Sequence, residues 1–341
     1  MKPLRIALLG AGRIGQVHAR TIVQRVIGAQ LVAIADPMPA AAQQLAERYG
    51  ITTVSTDCMA LIADPSIDAV LICTPTDTHA AYIIAAAQHG KHIFCEKPVA
   101  LDLAQTDRAL AAVAAAEVTL QIGFNRRFDA NFGRMQQAVA SGAIGTPKIL
   151  HIVSRDPAPP PISYIKVSGG IFLDMTIHDW DVARFLIGSD IDEVYVQGGV
   201  TVDPAIGEAG DIDTHVTMVR FANGVIGTID NCRQAVYGYD QRAEVFGSAG
   251  SIQTDNNYPN NTTLSTASAV QRDLPLNFFM QRYIEAYAAE IEAFVVAVTT
   301  GTPVLASGSD ARKALLAGLA AWQSYRTGRP VKLAEISASA E

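Results

Sequence analysis

Residues 4–20 read LRIALLGAGRIGQVHAR: an apolar run, a glycine-rich turn and the start of a helical pattern. Within it, Gly10-Ala11-Gly12-Arg13-Ile14-Gly15 is a GxGxxG motif. Alone that motif is weak. Here it follows a clean strand, opens a helix and precedes Asp36 by the roughly 20 residues that a dinucleotide fingerprint requires. Glycines let the backbone turn tightly and approach a pyrophosphate, and the helix N-terminus offers free N–H groups to its charge. Gly10, Gly12, Arg13, Ile14 and Gly15 are therefore the expected phosphate cradle. Asp36 ends the second strand, LVAIAD (31–36). A carboxylate there can accept from both ribose hydroxyls and repels a 2′-phosphate, so NAD is expected over NADP. Pro37 and Met38 follow and supply no cation. The competing reading is a glycine turn chosen for packing alone.

The alternation of strand and helix continues along the first third of the chain. DAVLICT (68–74), KHIFCE (91–96) and TLQIGF (119–124) are further apolar strands, with helical stretches at 39–49, 78–89 and 103–116. Continuous apolar strands separated by helices specify an α/β, doubly wound parallel sheet covered on both faces, with right-handed crossovers. Residues 1–123 are expected to form this Rossmann domain. After Phe124 the pattern changes. A helix is expected at 129–140, a strand at 147–154 (PKILHIVS), and then a proline-rich loop, RDPAPPPISYIK. Further on, EVYVQGG, THVTMVRF, GVIGTIDN and RAEVFG read as strands, and Asn223-Gly224 is a type I′ hairpin signal between two of them. Residues 124–341 are expected to form an α+β domain on a large, mostly antiparallel sheet. Terminal helices at 281–299 and 308–325 can pack back on the first domain.

Composition narrows the partners. The chain has 341 residues, 49% hydrophobic, and Lys plus Arg at 26 against Asp plus Glu at 33 gives a net charge of -7. A mildly acidic chain without basic runs argues against nucleic acid or an anionic membrane as partner. No apolar run approaches the roughly 18–20 residues of a membrane helix. Cys58, Cys73, Cys95 and Cys232 form no CxxC pair and read as free thiols of a reducing compartment, so a cytoplasmic location is expected. No metal site is expected; His89 and His92 read as surface residues.

Ligands of such sheets bind beyond the carboxyl ends of the strands. Two of those ends are chemically unusual. One runs into the polar loop CTPTDTH (73–79), and the other stops at Glu96-Lys97-Pro98. Thr74, Pro75, His79, Glu96 and Lys97 are thus expected around the cofactor, and Lys97 would project into the crevice. A solvated Glu–Lys pair is the bland alternative. A third unusual stretch is GGIFLDMTIHDWDVARFL (169–186). Read as one helix, it places Ile171, Met175, Val182 and Leu186 on an apolar arc, with Asp174 and His178 at i, i+4 along its margin. A half-desolvated imidazole beside a carboxylate is a candidate acid–base group, and a satisfied structural pair is the alternative.

The EKP strand end, GFNRRFD (123–129), the DxxxH stretch, SRDPAPPPISYIK and NFFMQRYIEAY (277–287) together resemble the Gfo/Idh/MocA oxidoreductases, and among them the inositol dehydrogenase branch. The resemblance covers nearly the whole chain. It implies NAD-dependent oxidation of a secondary hydroxyl on a cyclic polyol, with myo-inositol to its 2-ketone as the expected reaction. Lys97 matches the lysine that holds the reacting hydroxyl; Asp174 and His178 match the helix aspartate and the general base. Arg127, Asp156, Tyr237 and Tyr283 are expected to read the other hydroxyls. Asp156 departs from the asparagine of some relatives, which exchanges a donor for an acceptor. The resemblance also implies a homotetramer built through the C-terminal sheet, and both faces of THVTMVRF and GVIGTIDN carry apolar residues. Another inositol isomer, a pyranose, or an inactive NAD-binding regulator are the alternatives; Lys97, Asp174 and His178 argue against the last.

Overall fold

The computed structural model describes residues 2–338, which divide into two compact units. The first comprises the chain up to Asp129 together with Glu285–Leu315; the second comprises Ala130–Ile284 and the chain from Leu316.

The first unit is built on six parallel strands: β1 (Leu4–Leu9), β2 (Ala29–Ala35), β3 (Thr53–Ser55), β4 (Ala69–Ile72), β5 (His92–Cys95) and β6 (Leu120–Ile122). Their order is β3-β2-β1-β4-β5-β6. The order reverses between β1 and β4, which is the switch point where such sheets bind ligands. The central strands are buried on both faces, as their unbroken apolar sequences require. Helix Arg13–Gln24 packs on one face through Ala19 and Ile22, with Ile291, Phe294 and Val295 of helix Ile284–Thr300 in the same core.

In the second unit a seven-stranded sheet runs β12-β11-β7-β10-β9-β8-β15. Its strands are β7 (Pro147–Arg155), β8 (Ile191–Gly199), β9 (Thr214–Phe221), β10 (Ile226–Cys232), β11 (Asp240–Gly247) and β12 (Gly250–Thr254), followed, beyond a separate small hairpin of β13 (Leu264–Ser265) and β14 (Val270–Gln271), by β15 (Val331–Lys332). All pairings are antiparallel except β7 with β10. β9 alternates between buried and exposed residues, and its Val216 and Met218, with Ile226 of β10 and Phe246 of β11, are exposed on the single chain. Among the described residues no helix is long and apolar enough to cross a membrane.

Two local expectations need correction. The β9–β10 hairpin exists, but its turn is not type I′: Gly224 alone has positive φ, at 86°, and its N–H bonds the carbonyl of Phe221. That is the three-residue loop ending in a left-handed glycine. His92 is not a surface turn residue either. It lies half-buried on β5 and its Nδ1 accepts from the Thr119 N–H.

Candidate active site

In the first unit the glycine motif leaves β1 and caps helix Arg13–Gln24. Its three glycines are glycine for different reasons. Gly10 has φ 97°, and a Cβ there would lie 2.5 Å from the Cys73 carbonyl oxygen. At Gly15 a Cβ would lie 2.0 Å from the Gly10 oxygen. Gly12 has φ -68°, which any residue adopts, and a Cβ there would meet no protein atom within 4 Å. Packing thus demands two of the glycines; the third is free of protein contacts and leaves room for an approaching ligand. No side chain caps this helix, so its first N–H groups stay available to a pyrophosphate. Arg13 and Ile14 follow in its first turn. Asp36 closes the cradle: its carboxylate accepts from the N–H groups of Ala11 at 2.7 Å and Met38 at 2.8 Å. Ionised, it keeps acceptor capacity for ribose hydroxyls. These residues fit a dinucleotide.

Beyond β4 and β5, His79 bridges the two loops. Its buried ring places Nδ1 2.7 Å from the Pro98 carbonyl and Nε2 2.8 Å from that of Thr74. Burial holds its pKa down, although two carbonyl partners each ask for a donor. His79 therefore fastens Thr74, Pro75 and the Lys97–Pro98 corner, whose peptide bond is cis. Thr74 is further tied to Thr78 through their hydroxyls at 2.6 Å. Lys97 is half-buried at this corner. Glu96 faces inward and accepts from His18 Nε2 at 2.7 Å. Behind it the carboxylate of Glu290 is fully buried with no hydrogen-bond partner among the described residues, 4.0 Å from the same His18 nitrogen. Burial, and then the charge of Glu96, push the Glu290 carboxyl well above its ordinary range. The 2.7 Å separation is that of a direct hydrogen bond.

The second unit carries Asp174 and His178. The continuous helix expected over 169–186 is broken into Ile171–Asp174 and Ile177–Ile187, so the i, i+4 wheel does not hold there. The cause is Thr176 between them. Its hydroxyl donates to Asn231 Oδ1 at 2.6 Å, lies 3.1 Å from the Ile171 carbonyl and meets His215 Nε2 at 2.9 Å. Asn231 in turn donates to Asp179 at 3.1 Å, and the buried His215 is pushed down to about 3 by desolvation, hence neutral. Asp174 sits at the end of the short helix. One carboxylate oxygen accepts from Tyr164 Oη at 2.8 Å, the other from Arg233 Nη1 at 3.3 Å. His178 begins the longer helix, half-buried.

The expected hydroxyl readers lie in mixed surroundings. Arg127, in the first unit, is bound to the Leu305 carbonyl at 2.6 Å and to Asp310 at 3.0 Å. In the second unit Asp156 follows β7, its N–H on the Cys232 carbonyl. Tyr237 donates to the buried Asp240 at 2.6 Å. Desolvation opposes Asp240's ionisation, but Arg242, Tyr237 and Asn256 together hold its carboxyl low. Burial pushes the Tyr237 phenol up. Tyr283 is buried edge-on to Tyr239, ring centroids 6.0 Å apart. Sequence reasoning missed Tyr164, Arg233, His215 and Asn231 around the Asp174–His178 stretch, and His18 and Glu290 behind Glu96. Only His18, within the glycine-motif helix, carried a local signal: a histidine on an otherwise apolar face.

Residues 4–124 match the family model described as "Oxidoreductase family, NAD-binding Rossmann fold" (GFO_IDH_MocA), and residues 132–253 match the GFO/IDH/MocA C-terminal domain. The chain is 47% identical to the myo-inositol 2-dehydrogenase of Thermotoga maritima, covering 98% of this chain and 99% of that one. It is 46% identical to the inositol 2-dehydrogenase of Rhizobium meliloti, covering 97% and 99%. Among solved structures, scyllo-inositol dehydrogenase from Lactobacillus casei with bound NAD(H) and scyllo-inositol superposes with a TM-score of 0.92 at 29% identity, over 98% of this chain and 100% of that one.

Proposed function

Because the chain belongs to the Gfo/Idh/MocA oxidoreductase family, we propose that it oxidises myo-inositol to the 2-ketone with NAD. The observation that carries this reading is the likeness, at 46–47% identity and over nearly the full length of both chains, to two inositol 2-dehydrogenases. Bound NAD supplies the hydride acceptor. Gly12, Arg13 and the helix N-terminus hold its pyrophosphate, and Asp36 its ribose. The proposal assigns Lys97, Asp174 and His178 to one substrate. His178 removes the hydroxyl proton, Asp174 orients the imidazole, and Lys97 stabilises the oxygen as negative charge develops on it. Tyr164 and Arg233 support the orienting role, since they hold Asp174 from both sides. Arg127, Asp156, Tyr237 and Tyr283 are assigned to the remaining hydroxyls.

The proposed assembly is a homotetramer through the second sheet. Its support is the outer face bearing Val216, Met218, Ile226 and Phe246, each roughly half exposed in the single chain. Four unpaired cysteines support a reducing, cytoplasmic setting. The test of function is reduction of NAD followed in the nicotinamide absorbance band across inositol isomers and pyranoses. Turnover led by myo-inositol supports the proposal; a faster pyranose reassigns the substrate, and NAD binding without turnover on any polyol indicates a regulator.

A further inference from the structure

The guanidinium of Arg233 is a buried charge whose part in the proposed chemistry so far is only to hold Asp174. It follows β10 and is 1% exposed. Nη1 donates to Asp174 and Nη2 to Asp211, each at 3.3 Å. The other Asp211 oxygen accepts the Ile171 N–H at 2.9 Å. One guanidinium therefore ties both ends of helix Ile171–Asp174, immediately ahead of the segment that carries His178. Other titratable groups face this cluster. Tyr164 donates to Asp174, and His215 on β9 is neutral through burial, with Arg233 adding to that effect. Asp213 contributes only its backbone carbonyl, to the Arg233 N–H at 2.8 Å. A buried cation is costly unless paired; here the carboxyls of Asp174 and Asp211 flank it, and burial pushes the Asp211 carboxyl above its ordinary range while the Ile171 N–H and the Arg233 charge pull it back down.

We propose that Arg233 is a positioning residue that fixes the Asp174 carboxylate and, through its charge, sets the pH at which His178 becomes a competent base. The inference rests on the assignment of His178 as base. A bare carboxylate beside an imidazole favours the protonated ring, which cannot accept a proton. The guanidinium cancels part of that pull. Removing it should keep His178 protonated to higher pH, whereas removing Asp211 strengthens the cation's influence and should act in the opposite sense.

The experiment is the pH profile of kcat/KM for myo-inositol at saturating NAD, on the intact enzyme and on Arg233→Gln, Arg233→Lys, Asp211→Asn and His178→Ala. The acid limb should move up by roughly one pH unit in Arg233→Gln, the lower end of what a nearby charge does to a titrating group. It should stay near the wild-type position in Arg233→Lys, even with reduced kcat, and move down in Asp211→Asn. Asparagine keeps an oxygen for the Ile171 N–H, so Asp211→Asn decides the matter even if Arg233→Gln does not fold. Limbs that stay put in Asp211→Asn and Arg233→Gln, where His178→Ala has lost the limb, overturn the role of Arg233 and leave the base in place. A Lys variant that shifts like the Gln variant also overturns it. A limb that survives in His178→Ala overturns the base assignment, and this role with it.

Discussion

Gly12→Ala separates a glycine kept for a ligand from glycines kept for the fold. The Gly12 backbone, φ -68° and ψ -169°, suits alanine, and the added methyl meets no protein atom within 4 Å. Alanine is a poorer N-cap than glycine by about 0.5 kcal/mol. Its lower freedom in the unfolded chain returns about 0.4–1 kcal/mol. The two nearly cancel, so the melting temperature should move by no more than ~2 °C. Gly15→Ala is the contrast, because its methyl would sit 2.0 Å from the Gly10 oxygen. Such overpacking costs on the order of 1–3 kcal/mol or more. For NAD the order reverses. The Gly12 methyl occupies the approach of the pyrophosphate to the backbone, and Kd should rise at least ~10-fold, about 1.4 kcal/mol. Calorimetric titration of NAD beside thermal unfolding reads both effects. A Gly12→Ala protein that melts normally and binds NAD as tightly as the wild type would refute the cradle.

Asp36→Ser should weaken NAD and narrow its lead over NADP, measured as the ratio of kcat/KM for the two; a wild type that prefers NADP would contradict the reading of Asp36. Lys97→Ala should lose on the order of 10²–10³-fold in kcat, the usual effect of removing one oxyanion donor, with unfolding unchanged. Near-normal rates would leave Lys97 a structural residue of the cis-proline corner. Glu290 predicts a pH effect on stability. Its folded carboxyl keeps a proton that an unfolded glutamate releases above its ordinary 4.5. The folded state then binds more protons, so this group costs stability as pH rises from 4.5 towards the folded value. Glu290→Gln removes that cost. Its urea midpoint should exceed the wild type's near neutrality and gain nothing in acid, and parallel pH curves for the two proteins would argue against a protonated Glu290.

Local patterns carried most of the first unit. The motif at 10–15 and Asp36 are legible because strand, turn, helix and acid lie within one stretch whose spacing the ligand dictates. The strands of the second sheet were legible as β-rich runs, but not which face is buried: in THVTMVRF the polar His215 and Thr217 face inward while Val216 and Met218 face solvent. What escaped depends on contacts between distant residues. The break at Thr176 needs His215 and Asn231, 39 and 55 residues away. Arg233 reaches Asp174 across 59 residues, and its own surroundings, NCRQAV, give no hint of burial. The hairpin turn was misread because Asn-Gly suits both a type I′ turn and the left-handed end of a longer loop. Strand β3 spans only three residues and shows no period.

His178 is assigned as the base that takes the proton of the substrate hydroxyl. The most direct test is active-site-normalised turnover of myo-inositol and NAD by His178→Ala, with thermal unfolding and NAD affinity measured on the same sample. Turnover should fall roughly 10²–10⁴-fold, partly recovered at high pH where hydroxide assists, with NAD affinity unchanged. A lowered melting temperature with turnover per folded molecule intact would contradict it, and would make His178 part of a structural pair.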